Sequence, residues 1–129
     1  MKVTIRQGDI YWVQPEAPDG EPPRISHPHV IIQDDALNQS DHATVVACAL
    51  TTNLARVSMP GNILLDAGEA NLPRPSVVEV SKSVTVEKAK LGEYIGTLSA
   101  ERVAQILAGR RFVETSFLPD GRKPSATCS

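Results

Sequence analysis

A few side chains in this sequence pair groups that can move protons with groups that can hold anionic oxygens. His27 precedes Pro28, which pushes its backbone towards extended geometry, and the run Val30, Ile31, Ile32 that follows is of the kind buried strands use. An imidazole is therefore expected at the mouth of a strand, and imidazole titrates near ~6.5, where it can both accept and donate a proton. Thr51 and Thr52 close a second apolar run, TVVACAL from Thr44 to Leu50. A hydroxyl there can donate a hydrogen bond to a phosphoryl oxygen or complete the hydrogen bonding of the strand end itself. Arg24, Arg56, Arg74 and Lys82 are the candidate charge partners. One reaction needs only such groups. In RNA the 2′-OH can attack the adjacent phosphorus, and a protein speeds this by accepting a proton, donating one and stabilising charge on the phosphoryl oxygens.

Other chemistries find less support. The histidines are His27, His29 and His42. His27 and His29 are two apart and point the same way in a strand, but a zinc site would need a third ligand, such as Asp34 or Asp35, and two-histidine spacing alone is a weak signal. His29 reads equally as a partly buried strand residue and His42 as an exposed turn residue. The sequence has no G-x-S-x-G elbow, no glycine-rich phosphate loop and no activated cysteine. No metal and no cofactor is expected. Cys48 lies inside VVACAL as a small core residue, and Cys128 is one residue from the C-terminus, so a bridge between them is not expected.

The elements that must position these groups are mostly strands. GDIYWV, Gly8 to Val13, suits a first strand. Gln14 to Ser26 holds four prolines and a glycine, cannot be regular, and is long for a hairpin loop, which suggests a lid over a site or a stiff surface excursion. Pro28–Gln33 is the second strand, Asp34–Asp41 a polar turn, Thr44–Leu50 a third strand buried on both faces, and Met59–Leu65 a fourth. In Ser76–Glu87, Val78, Val80, Val84 and Val86 share one parity and polar residues the other, except that Lys82 falls on the apolar side. Either a bulge reverses the faces there or the lysine enters a polar hole. Tyr94–Leu98 is a sixth short strand. Ser99 is a good N-cap for a helix with Val103, Ile106, Leu107 and Val113 on one face and Arg102, Gln105 and Arg110 towards water, weakened but not ended by Gly109.

These elements predict a mainly β (α+β) protein: a small antiparallel β-barrel of about six or seven strands with a C-terminal α-helix. One domain over residues 1–118 and a disordered tail over 119–129 fit the 129-residue length. With 4% aromatic residues, the core must rest on Val, Ile, Leu and Ala. The net charge of −2 gives no global bias towards nucleic acid, so any such site must be a local patch. No run approaches the ~20 apolar residues of a membrane span, and the N-terminus lacks the apolar stretch of a signal peptide, so a cytoplasmic location is expected.

Several motifs occur in an order that resembles the MazF/PemK (Kid) family of toxin endoribonucleases. RQGDIYWV is similar to that family's R-G-D-[VI]-[WY] strand, with Gln7 inserted between Arg6 and Gly8. HPHVIIQDD is similar to R-P-[VA]-V-[IV]-[IL]-[QS]-[ND]-D, ATVVACALTTN to a strand ending [AP]-[IL]-T-[ST], and SVVEVSKSVTV to S-V-[IVA]-x-x-[DE]-[QH]-[IV]-[RK]-[TS]-[IV]. IGTLS before the helix also fits, and the similarity spans Arg6 to Phe117.

The resemblance implies an SH3-like barrel, a homodimer, and metal-independent cleavage of single-stranded RNA at short sequences, blocked by an antitoxin peptide. It places the family's catalytic threonine on Thr51 and its catalytic arginine on His27. The family's RNA-contacting glutamine falls on Lys82, the acidic residue before it on Ser81, and its lid-like loop on Gln14 to Ser26. Arg24, Gln33, Thr52, Arg56 and Lys82 are then the candidate RNA-contacting residues. Arginine is always charged and forks onto phosphate, which neutral imidazole cannot do. His27 therefore implies either a different acid–base solution, with charge from Arg24 or Lys82, or lost activity. The alternatives are a non-catalytic binder of gyrase, as in CcdB-like toxins, and a scaffold that only binds its antitoxin.

Overall fold

The computed structural model describes residues 4–116. The expected tail at 119–129, and Cys128 within it, lie outside the described residues. Six strands and two helices follow in the order β1 (Asp9–Val13), β2 (His27–Ile31), α1 (Asp35–Asn38), β3 (Thr44–Thr51), β4 (Ile63–Leu65), β5 (Ser76–Glu87), β6 (Tyr94–Thr97) and α2 (Ala100–Ser116). Single 3₁₀ turns occupy Leu54–Ser58, Glu69–Asn71 and Lys88–Lys90. The expected strands are all present. The fourth is trimmed because Met59 caps a 3₁₀ turn and Gly61 turns the chain with φ +88°. The polar segment after β2 contains α1, a short helix capped by the Asp34 side chain, which accepts from the Ala36 N–H at 2.8 Å.

All paired strands are antiparallel, in the order β4-β5-β3-β2-β1-β6, and the sheet curls into a half-barrel. The 3₁₀ turn Glu69–Asn71 lies beside β6, where the Asn71 amide donates to the Ile95 carbonyl at 3.0 Å. One core lies between the sheet and α2, built on Ile10, Val30, Cys48, Leu50, Val78, Val80 and Ile106; Tyr11, Val13, Ile31, Val45, Ala47 and Val86 form a second on the other face. Each fully buried aliphatic side chain contributes about 1.5–3 kcal/mol. Cys48 is fully buried among them, and burial pushes its thiol up, as suits an inert core residue.

The parity break at Lys82 is a bulge. Along β5 the register on β3 shifts between Leu50↔Val78 and Cys48↔Ser83, so that Glu79–Lys82 stand against Ala49 alone. Val78 and Val80 thereby join the helix-side core while Val86 joins the other, and Lys82 emerges into solvent.

The predicted apolar face of α2 packs as expected, through Val103, Ile106, Leu107 and Val113. Arg102 and Arg110 do not simply face water, however; their side chains are only 24% and 22% exposed. Arg102 forks onto Glu69 at 2.9 and 2.8 Å and holds that carboxyl below the usual range, and Arg110 donates to the Val80 carbonyl at 3.3 Å. Gly109 lets α2 pass close against the turn before β4, because a Cβ there would collide with the backbone carbonyl of Gly61.

Two predictions follow from this packing. Gly109→Ala should destabilise the fold by about 1–3 kcal/mol, read by urea unfolding, despite its better helix propensity. The second concerns His29, which is buried on β2 and whose ring is held below its ordinary value chiefly by burial, with its bond to the His27 carbonyl opposing and His27 adding to the shift. As pH falls below about 6.5 the unfolded chain takes up a proton that the folded ring refuses, so stability should drop until the folded value is passed. In His29→Gln that part of the acid loss should vanish.

Candidate functional site

The sheet register brings the two central candidates together. β2 pairs with β3 as His29↔Ala49, Val30↔Cys48 and Ile31↔Ala47. Continued by two pairs, this register sets His27, the first residue of β2, opposite Thr51, the last of β3, on one face of the sheet. In a regular ladder such partners are about 4.5–5.5 Å apart at Cβ. Both residues line a cavity of about 530 Å³ at this end of the sheet, with Thr52, Arg74, Trp12 and Tyr94 also in its wall. His27 and Thr52 are exposed and Thr51 half-buried, so the hydroxyl and the imidazole are reachable from solvent.

Each is held by its surroundings. His27 is followed by Pro28, which cannot donate to the ladder, and the His27 carbonyl is held by a 2.9 Å hydrogen bond from the His29 ring Nδ1. Thr51 Oγ1 accepts from the Asn53 N–H at 3.1 Å, so its own hydrogen remains available to donate. Asn53 also caps the next 3₁₀ turn by accepting from the Ala55 N–H. Beside the cavity, β1 and β6 are joined by the buried Asp9 carboxylate, which accepts from Thr97 Oγ1 at 2.7 Å and from the Tyr11 hydroxyl at 3.3 Å. Because Thr97 spends its hydrogen on Asp9, the Tyr94 hydroxyl donates to Thr97, at 2.5 Å. Burial and the Asp9 charge push the Tyr11 hydroxyl well above the usual range.

The basic candidates divide into three groups. Arg74 lines the cavity with His27 and Thr51. Arg56 and Lys82 converge on one buried carboxylate, with Glu79 Oε1 at 3.6 and 3.5 Å. Glu79 follows two residues after Val77, the partner of Thr51, so this pair of cations stands beside the end of β3. Arg24 lies in the long loop, where it meets Glu21 at 3.7 Å, and is not in the cavity wall. Gln33 is also elsewhere, its amide donating to Asn38 Oδ1 and the Thr44 carbonyl at 3.0 and 3.3 Å. The long loop itself is largely exposed, is tied back by the Glu16–Lys90 pair at 2.9 Å, and is braced internally by Gln14 donating to the Arg24 carbonyl.

Glu79, Trp12, Tyr94 and the His29–His27 bond did not emerge from sequence reasoning as parts of the site. Glu79 sits on the polar parity of β5 and reads as a solvent-facing residue unless the bulge is known. Among the described residues, no group of three or more His, Cys, Asp or Glu is placed to hold a metal ion, and no helix is long and apolar enough to cross a membrane.

Comparison with known proteins agrees with this architecture. A family model described as a PemK-like, MazF-like toxin of type II toxin–antitoxin systems matches residues 6–111. Endoribonuclease MazF6 of Mycobacterium tuberculosis is 38% identical over 111 residues, which cover 86% of this chain and 97% of the relative, and endoribonuclease MazF2 of Mycobacterium bovis is equally similar. Among solved structures, an endoribonuclease in complex with its cognate antitoxin from a mycobacterial species superposes with a TM-score of 0.66 at 23% identity, covering 84% of this chain and 92% of that one. The MazE–MazF structure from Deinococcus radiodurans gives a TM-score of 0.70 at 15% identity, covering 87% and 96%. The structures share the fold, and the match over residues 6–111 carries the assignment: the chain belongs to the PemK-like, MazF-like family of toxins of type II toxin–antitoxin systems.

Proposed function

We propose that the protein is the endoribonuclease toxin of such a system and cleaves single-stranded RNA at short sequences without a metal. What supports this reading is that His27, the first residue of β2, and Thr51, the last of β3, line one solvent-reachable cavity. In the proposed reaction the ribose 2′-oxygen forms a bond to the adjacent phosphorus while the bond from phosphorus to the 5′-oxygen breaks. This leaves a cyclic phosphate on one fragment and a hydroxyl on the other. His27 accepts the proton of the 2′-OH and returns one to the leaving oxygen. Thr51 donates its hydroxyl hydrogen to a phosphoryl oxygen, and Arg74, in the same wall, supplies the charge that an imidazole in place of arginine does not guarantee. Thr52 extends the donor row, and Arg56 and Lys82 bind the flanking phosphate backbone.

The same reading assigns two protein partners, a cognate antitoxin segment and a second copy of the chain, and a cytoplasmic site of action where messenger RNA is available. Support for a protein partner comes from Leu54, Val57, Met59, Leu64 and Phe112, large apolar side chains that remain exposed.

The purified protein should cut a mixed single-stranded RNA pool in EDTA. No cut at any pH from about 5 to 8 would contradict the proposal. Thr51→Ala should lower kcat by about 10²–10³-fold with an unchanged melting temperature, the loss typical of one preorganised donor to a developing oxyanion. In His27→Ala, any residual rate should lose its pH dependence; a full rate in that variant would remove the imidazole from the chemistry.

A further inference from the structure

A second cavity, of about 510 Å³, opens on the sheet face shared by His27 and Thr51, one alternate position further along β2. Val13, Pro15, Val84 and Val86 give it apolar walls, and His29 lies within it. His29 is 3% exposed, so almost the whole ring is enclosed. Its Nδ1 is 2.9 Å from the His27 carbonyl oxygen. A carbonyl can only accept, so Nδ1 carries the hydrogen and Nε2 of the neutral ring is an acceptor. Among the described residues no hydrogen bond engages Nε2, yet none of their buried polar side-chain atoms lacks a partner. Nε2 therefore lies on the small accessible edge of the ring, where it meets the cavity. Glu16 and Glu87 at the rim are also acceptors, and the Lys90 ammonium between them is occupied by both, at 2.9 and 3.6 Å. Its walls are apolar, the Gln14 amide and the Thr44 and Thr85 hydroxyls also belong to the lining, and at His29 the slot presents a lone pair rather than a hydrogen.

We infer that this slot is a base-reading subsite that takes a nucleobase with an exocyclic amino group, cytosine or adenine, the amino hydrogen being donated to His29 Nε2. The inference rests on the proposed RNA-cleaving function and identifies which base is read next to the reacting phosphate. Cytosine and uracil are nearly isosteric and differ here in an amino group against a carbonyl. The amino group meets an acceptor, whereas the carbonyl would set lone pair against lone pair and leave two enclosed polar groups unpaired, a mismatch that discriminates more strongly than a change in size. The tautomer needed for this reading is not free to change, because the bond to the His27 carbonyl fixes it. The same bond ties the base-reading ring to the backbone of the residue proposed to move protons.

The test uses the full chain and matched 2′-O-methyl oligocytidine and oligouridine, which lack the 2′-OH nucleophile, so binding is measured whether or not unmodified RNA is cut. That separates failure of the subsite from failure of the nuclease reading. Oligocytidine should bind about tenfold more tightly than oligouridine. His29→Phe should bring the ratio to within about twofold, and so should His29→Gln, whose amide can donate as well as accept. Circular dichroism identifies the variant that keeps the native fold and so decides the comparison. A wild-type ratio near one, a preference for uridine, or a cytidine preference that survives in a folded His29→Gln would each overturn the inference. A slot that instead receives a basic peptide side chain gives the first of these results.

Discussion

The antiparallel register of β2 on β3 is the constraint on which the candidate site depends. His29 stands against Ala49, and everything at the strand ends follows from that pairing. A slip of one residue would turn His27 to the opposite face and take Thr51 out of its company, because side chains alternate along a strand. The register is protected from slipping by the two cores, since Val30 and Cys48 must face α2 while Ile31 and Ala47 must face the other way. Pro28 weakens the ladder at the mouth of β2, where the His29 ring holds the His27 carbonyl. The apolar interior thus sets the geometry of groups that are themselves exposed.

The electrostatics follow a similar logic. A carboxylate as enclosed as Glu79 is costly unless it is paired. Here two cations pair with it, and both keep roughly half their side chains in water, at 45% exposed for Arg56 and 56% for Lys82. One anion between two cations leaves this cluster with a net positive charge on a protein whose net charge is −2. This is how a chain with no overall attraction for polyanions can present a local one.

The six strands and the helix were legible in the sequence because period-2 alternation, apolar runs and an N-cap are local signals, as in Ser76–Glu87 and at Ser99. His27 and Thr51 were legible as residues able to serve one phosphodiester-cleaving reaction, with Thr52 an equal candidate; resemblance to a family singled out Thr51, since two strand ends far apart in sequence carry no mark of mutual register. The Lys82 parity break signalled a bulge without showing what it accomplishes, which is to present Glu79 to Arg56. Arg102 and Arg110 were misread as solvent-facing because helical periodicity cannot tell a surface arginine from one reaching back to Glu69 or to the Val80 carbonyl. The enclosure of His29 and its bond to the His27 carbonyl required coordinates, because strand patterning places a ring on a face without saying what covers it.

In the proposed reaction His27 and Thr51 act as one unit on the phosphate. A double-mutant cycle on RNA cleavage in EDTA, comparing His27→Ala, Thr51→Ala and the combined variant, addresses it most directly. Residues that serve a single transition state are strongly non-additive. The combined variant should therefore be no slower than about a fewfold below the worse single variant. Losses that simply multiply, or a single variant that retains the full rate, would show that the two residues do not act together.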